Sequence, residues 1–170
     1  MPSRVEIVAA DPDWPAHFAR IAADLRSLIG GSIITIDHIG STAVPGMPAK
    51  PVIDIDVTVG TLEDIAAAGE ALVATGYAPR GNRHDDGMWA FLDASATPGV
   101  RVYLFRPGNR THQRRLVFRD RMRADPVAAR AYAELKQALA RAFPYDGDRY
   151  TQEKRVFIDA VVDGAAPPAD

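Results

Sequence analysis

The chain has 170 residues, 47% of them hydrophobic and 25% charged, with a formal net charge of -2. That is the size and balance of one globular domain with its own core, with too little net charge for the whole chain to hold polyanions by charge alone. The absence of cysteine excludes a disulfide framework, a thiolate nucleophile and cysteine metal sites and fits a reducing cytoplasm, and no apolar run near the N-terminus reads as a secretory signal or membrane span.

Asp11 or Asp13 is positioned to cap a first helix, with Pro15 in its opening turn. Trp14, Phe18, Ile21, Leu25 and Leu28 then recur at helical spacing, and Gly30-Gly31 stops the run. Residues 32–39 read as a strand, followed by Gly40-Ser41-Thr42 and a Pro/Gly-broken stretch, AVPGMPAKP. Residues 52–59 form the clearest strand: Ile53, Ile55, Val57 and Val59 share one face, and Asp54, Asp56 and Thr58 the other. Residues 61–75 read as an Ala-rich helix with Leu62, Ile65, Leu72 and Val73 inward and Gly76 at its end. Residues 88–93 and 100–105 read as a hairpin about the turn Thr97-Pro98-Gly99. Two or three helices follow: one after Asn109, one capped by Asp125 with Pro126 at its first position, and the last over about 149–162. Tyr132, Leu135, Leu139 and Phe143 make the inner stripe of the middle one. The expected fold is α+β: a small mixed β-sheet with helices packed on it and a helical C-terminal part. One domain spans 1–170, with 163–170 as a frayed tail.

The chemistry concentrates in HIGSTAVPGMPAKPVIDID, between His38 and Asp56. Aspartates at i and i+2 on a strand point the same way with Cα atoms about 7 Å apart. Like charges on one strand face gain nothing structurally, and Asp is disfavoured in strands. The pair reads either as a solvated edge or as hard-oxygen ligands for Mg²⁺. Upstream, Gly40 permits close backbone approach. Free N–H groups at a turn or short helix, with the Ser41 and Thr42 hydroxyls, would cradle phosphates. Neither a P-loop nor a dinucleotide-binding glycine pattern is present.

Between Arg101 and Arg130 nine arginines face two aspartates, Asp120 and Asp125. That window is a solvated basic helix face or a wall that holds phosphates. Arg119 and Arg123, at i and i+4, read either as a phosphate clamp or as part of an Arg–Asp lattice between helices. The chain has only three lysines, Lys50, Lys136 and Lys154, against seventeen arginines. This hints at a need for a compact ammonium at those places, Lys50 above all, as a phosphate contact or a partner for Asp54. Tyr132 reads as core. His38 shares a face with Gly40 and is expected to fix the turn through its ring and hydrogen bonds rather than to move protons. His84 lies in a loop expected to be mobile and to face solvent, and His17 and His112 are expected on helix surfaces.

Taken together, Gly40-Ser41 and Asp54-x-Asp56 resemble the signature of the nucleotidyltransferase, polymerase-β-like superfold. The chain is more closely similar to the GrpB-like family within it. VEIVAADPDWPAHF, HIGSTAVPGMPAKPVIDIDV, LVFRDRMRADPVAARAYAELKQALA and YTQEKRVFIDAVV carry the resemblance in order along nearly the whole chain. It implies a nucleotidyltransferase-like fold in which Gly40 and Ser41 hold the β and γ phosphates of a nucleoside triphosphate. Asp54 and Asp56 would be the catalytic, Mg²⁺-holding pair. His38, Thr42, Lys50, Arg101, Tyr103, Arg119, Arg123, Lys136 and Lys154 complete the expected substrate and phosphate site. Such nucleotidyltransferases usually carry a third carboxylate on a later strand, where residues 100–105 offer Arg101 and Tyr103 instead. The expected function is Mg²⁺-dependent transfer of a nucleotidyl group from a nucleoside triphosphate to a small acceptor. The alternative is a non-catalytic nucleotide- or phosphate-binding module, or a folding accessory of the kind that the resemblance implies for members fused to dephospho-CoA kinase. That alternative leaves room for a protein partner. A nucleic acid is disfavoured, since the basic window has few aromatics for stacking bases.

Overall fold

Residues 4–164 are described by a computed structural model. Asp11, rather than Asp13, supplies the side chain of the first turn, accepting from the Asp13 N–H at 2.8 Å. Helix α1 (Trp14–Ile29) follows and ends at Gly30, whose φ of 78° is open to glycine. A 3₁₀ turn at Gly30–Ser32 leads into β1 (Ile33–Ile39), so Ser32 stands outside the strand. After a second 3₁₀ turn, Ser41–Ala43, come β2 (Val52–Val59) and α2 (Leu62–Ala74). Thr61 and Asp64 close a reciprocal capping box on α2. Strands β3 (Ala78–Gly81), β4 (Trp89–Asp93) and β5 (Gly99–Phe105) complete one mixed sheet of order β1-β2-β5-β4-β3. The β4–β5 hairpin forms as expected, while β3, with Pro79 on the sheet edge, has no counterpart in the sequence reading.

Only β2 and β5 run parallel, and their register sets Asp54 beside Arg101 and Asp56 beside Tyr103. On the opposite face Ile53, Ile55, Val57, Val59, Val102 and Leu104 are sealed beneath α1 and α2. The inner stripe of α2 is Ile65, Ala68, Gly69 and Leu72, whereas Leu62 and Val73 are 55% and 46% exposed. Ile65 and Leu72 are inward as expected, while Leu62 and Val73 are turned out because the helix approaches the sheet through its small residues: a Cβ on Gly69 would lie 2.9 Å from Phe91 Cζ.

The polar sheet face is covered by α3 (Arg110–Ala124), and α4 (Pro126–Ala142), α5 (Gly147–Glu153) and α6 (Arg155–Asp163) complete the C-terminal part. Asn109 and Asp125 cap α3 and α4 through the His112, Val127 and Ala128 N–H groups. The single last helix expected over 149–162 is interrupted at Lys154. A second apolar cluster joins Val44 and Met47 to Met122, Tyr132, Phe157 and Val161. Of the expected frayed tail, Asp163 ends α6 and Gly164 caps it, and 165–170 lie outside the described residues. Among the described residues no helix is long and apolar enough to cross a membrane.

Candidate functional site

The turn after β1 is built from the inside. His38 is buried, stacked on Phe18 with centroids 4.7 Å apart, and shares a 2.9 Å hydrogen bond between Nε2 and Thr42 Oγ1. Burial, then Arg123 and Arg119, lower its pKa to about 4, so the ring is neutral. Thr42 is therefore spent on His38, and the Ala43 and Val44 N–H groups are spent on the Gly40 and Ser41 carbonyls. The phosphate cradle expected from a helix start shrinks to Gly40 and Ser41. Gly40 adopts φ 73°, and a Cβ there would come within 2.9 Å of Asp54 Oδ2. The glycine lets the turn rest on the carboxylate.

Asp54 and Asp56 share a face, as alternation requires, but meet different surroundings. Asp54 lines an open cleft, accepts from the Tyr103 hydroxyl at 3.3 Å, and has Arg101 Nη1 at 4.0 Å. Burial, then Asp54, push the Tyr103 phenol up to about 12, which keeps it a donor. Asp56 is 0% exposed. Arg115 Nη2 lies 3.0 Å from its Oδ1, an ion-pair approach, and the ring Nδ1 of His112, whose pKa burial lowers, lies 3.3 Å from its Oδ2. Burial pushes Asp56 up to about 7 against the pull of Arg115. The Arg115 guanidinium lies 4.1 Å from the Tyr103 ring centroid, a cation–π distance.

His112, expected on a helix surface, is buried between Asp56 and Asp37, whose Oδ2 is 3.5 Å from Nε2. Neither it nor Arg115 stands out as a site residue in the sequence. Their signal is the spacing of His112, Arg115, Arg119 and Met122 on α3, a helical stripe whose inward members are mostly polar. Arg119 and Arg123 belong to the same side of the helix. Arg119 donates to the His38 carbonyl and to Asp120, and Arg123 to the Ala43 carbonyl at 2.8 Å. They tie α3 to the turn; they do not line the cleft with Ser41 and Asp54.

The three lysines converge. The Lys50 and Lys154 ammonium groups lie 4.5 and 4.4 Å from the Tyr150 ring centroid, and that of Lys136 lies 5.0 Å from Tyr132. Lys136 donates to the Pro48 carbonyl and is buried, which lowers it to about 7, with Lys154 adding to the effect. Burial, then Lys50, lower Lys154 to about 8, while Asp54 opposes the shift. Burial and Arg101 also lower Lys50. Among the described residues none of the three forms a salt bridge. Only Lys154 lines the cleft, a cavity of about 440 Å³ shared with Ser41, Asp54, Arg101, Tyr103 and Arg155. His84 is exposed, as expected, and lines the same cleft, on a loop that Asn109 and Thr111 bond at Asp86.

The residues do not fit a two-metal centre. Among the described residues no group of three or more His, Cys, Asp or Glu is placed to hold a metal ion. Asp56 has no exposed oxygen, and β5 presents Arg101 and Tyr103 beside the two carboxylates. Asp93 spends its carboxylate on Ser95 and does not line the cleft.

Comparison with known proteins agrees with the resemblance seen in the sequence. The family model described as "GrpB protein" matches residues 4–163. The UPF0157 protein YqkA of Bacillus subtilis is 35% identical over 95% of this chain, and the dephospho-CoA kinase of Mycolicibacterium paratuberculosis 34% over 88%. The chain spans 47% and 43% of the length of these two relatives. Among solved structures, GrpB from Enterococcus faecalis superposes with a TM-score of 0.85 at 28% identity, covering 94% of this chain and 96% of that one. The Cid1 poly(U) polymerase is more distant, with a TM-score of 0.48 at 16% identity over 77% of this chain and 44% of that one. By a family match over nearly its whole length, the chain belongs to the GrpB family.

Proposed function

We propose that the cleft is a receptor for a phosphate-bearing small molecule, a nucleotide in the first instance, and that it binds without running a two-metal nucleotidyl transfer. The observation that carries the reading is the surplus of positive charge beside Ser41. The cleft is lined by Arg101, Arg114, Arg115, Lys154 and Arg155 against Asp54, Asp86 and Asp159, and among the described residues no lysine forms a salt bridge. Lys154, half-buried and without a salt-bridge partner among the described residues, is held at an energetic cost that a bound phosphate offsets.

Calorimetric titration with the four common nucleoside triphosphates tests the reading. Saturable binding is expected, weakened about tenfold or more in Lys154→Gln, the loss typical of one charge-assisted hydrogen bond. Pyrophosphate release above the level of an Asp54→Asn variant would reinstate nucleotidyl transfer. Absence of binding by every nucleotide would remove the receptor reading altogether.

The name of the mycobacterial relative favours one further candidate ligand. That relative is a dephospho-CoA kinase of which the chain spans 43%. Dephospho-CoA carries a diphosphate and belongs in the same titration. Its binding in preference to free nucleotides would place this module beside a kinase as a substrate-holding accessory.

A further inference from the structure

We propose that Arg115 and Arg101 occupy the electrostatic place of a divalent cation, so that the cleft takes its anion free of metal. This rests on the receptor reading and adds to it the charge state of the ligand. The parallel register of β2 and β5 sets Arg101 beside Asp54 and Tyr103 beside Asp56 on one sheet face. A carboxylate at either β5 position would have completed a cluster of hard oxygen ligands. Here one position holds a cation and the other a hydroxyl donor.

The second cation comes from the helix laid over that face. Arg115 reaches Asp56 at 3.0 Å, stacks on Tyr103 at 4.1 Å and donates to Met88 Sδ at 3.2 Å. Three contacts fix the guanidinium, and His112 closes the other oxygen of Asp56. A metal ion seeking Asp56 would have to expel a buried guanidinium and strand its charge. Nor is there excess negative charge to attract one, because the three carboxylates of this face, Asp37, Asp54 and Asp56, already face Arg119, Arg101 and Arg115. A divalent ion would add two positive charges to a balanced set.

The remaining cations then act on the ligand alone. Arg114 is committed to Asp159 and Asp163, each at 2.8 Å, and so contributes little. Lys154 and Arg155 line the cleft without such partners among the described residues. A free polyphosphate carries more negative charge than its Mg²⁺ complex. A cationic receptor with no ligand set for the ion therefore favours the free anion.

Two titrations of the full chain test this. In the first, Mn²⁺ alone is added and followed by water-proton relaxation. No saturable binding is expected, and saturable binding that disappears in Asp54→Asn would overturn the proposal. In the second, tripolyphosphate is titrated by calorimetry in EDTA and in excess Mg²⁺. Binding is expected to weaken roughly two- to tenfold when Mg²⁺ is present, through the lower charge of the complex. Binding that needs Mg²⁺ would also overturn it. If tripolyphosphate binds in neither condition, the receptor reading fails, while the Mn²⁺ titration still decides the question of the cation. Arg101→Asp, at a side chain 42% exposed and so outside the core, supplies the converse. With a carboxylate opposite Asp54 it is expected to gain Mn²⁺ binding, and a folded variant that gains none counts against the arginines as the excluding groups.

Discussion

His38 is uncharged at neutral pH because burial and two neighbouring arginines disfavour its doubly protonated form. The groups around it are Phe18 from α1, Thr42 from the turn, and Arg119 and Arg123 from α3. An unfolded histidine takes up a proton near 6.5, whereas His38 in the folded chain resists down to about 4. Across that window the unfolded chain binds the extra proton, so stability is fully present above 6.5 and declines as pH falls towards 4. At about 1.4 kcal/mol for each pH unit of that window, the loss is on the order of 2–3 kcal/mol. Urea unfolding at pH 7 and at roughly pH 4.5 should show His38→Gln losing less stability than the parent by this amount; an equal loss in both would refute the assignment. Gly40 is a second point where one atom matters. Its φ of 73° and the 2.9 Å approach to Asp54 predict that Gly40→Ala both strains the turn and displaces the carboxylate. A loss of about 1–3 kcal/mol is expected in denaturant melts, together with weaker nucleotide binding.

At the scale of elements, α3 shows why the site was only partly legible. A helix is usually read by its apolar stripe, and α3 has hardly any. It buries His112 and Met122 and turns Arg115 and Arg119 toward the sheet, because that face of the sheet carries Asp37, Asp54 and Asp56. Local spacing could order the strand aspartates, the glycine turn and the three lysines. It held no record that residue 115 would meet residue 56. The same limit explains α2, whose orientation follows from the contact of Gly69 with Phe91. By contrast α1, β2 and the β4–β5 hairpin were legible, since helical spacing in α1 and two-residue alternation in the strands already group the apolar side chains that enter the core. The tie between α3 and the turn yields a separating prediction. Arg123→Ala removes the bond to the Ala43 carbonyl and should cost about 1–2 kcal/mol of stability. Nucleotide affinity should fall by only a few-fold, because Arg123 reaches the site only through the Ala43 carbonyl of the turn and does not line the cleft. A large loss of affinity with intact stability would return Arg123 to the role of phosphate clamp.

For the molecule as a whole, the cleft is where two halves of the chain meet. Ser41 and Asp54 come from the first part of the sheet, Arg101 from its later strand, and Lys154 from the break between α5 and α6. A phosphate held between Ser41 and Lys154 would connect the sheet to the C-terminal helices through the ligand itself. Binding at roughly one hundred times the dissociation constant adds about 2.7 kcal/mol to stability. For a domain of this length that raises the melting temperature by roughly 5–10 °C. Its distribution is more telling than its size. Hydrogen exchange should slow first at the Ser41–Ala43 turn and around Lys154, while α2 and the β3 edge, on other parts of the sheet, change least. Because the attraction is largely between exposed or half-exposed charges and a polyanion, the thermal shift should shrink as sodium chloride rises from low to about 0.5 M. Lys154→Gln should lose both the local protection and the salt dependence while remaining folded. Protection centred on α2 or β3, or a shift that salt leaves unchanged, would mean that the ligand is held elsewhere and by other forces.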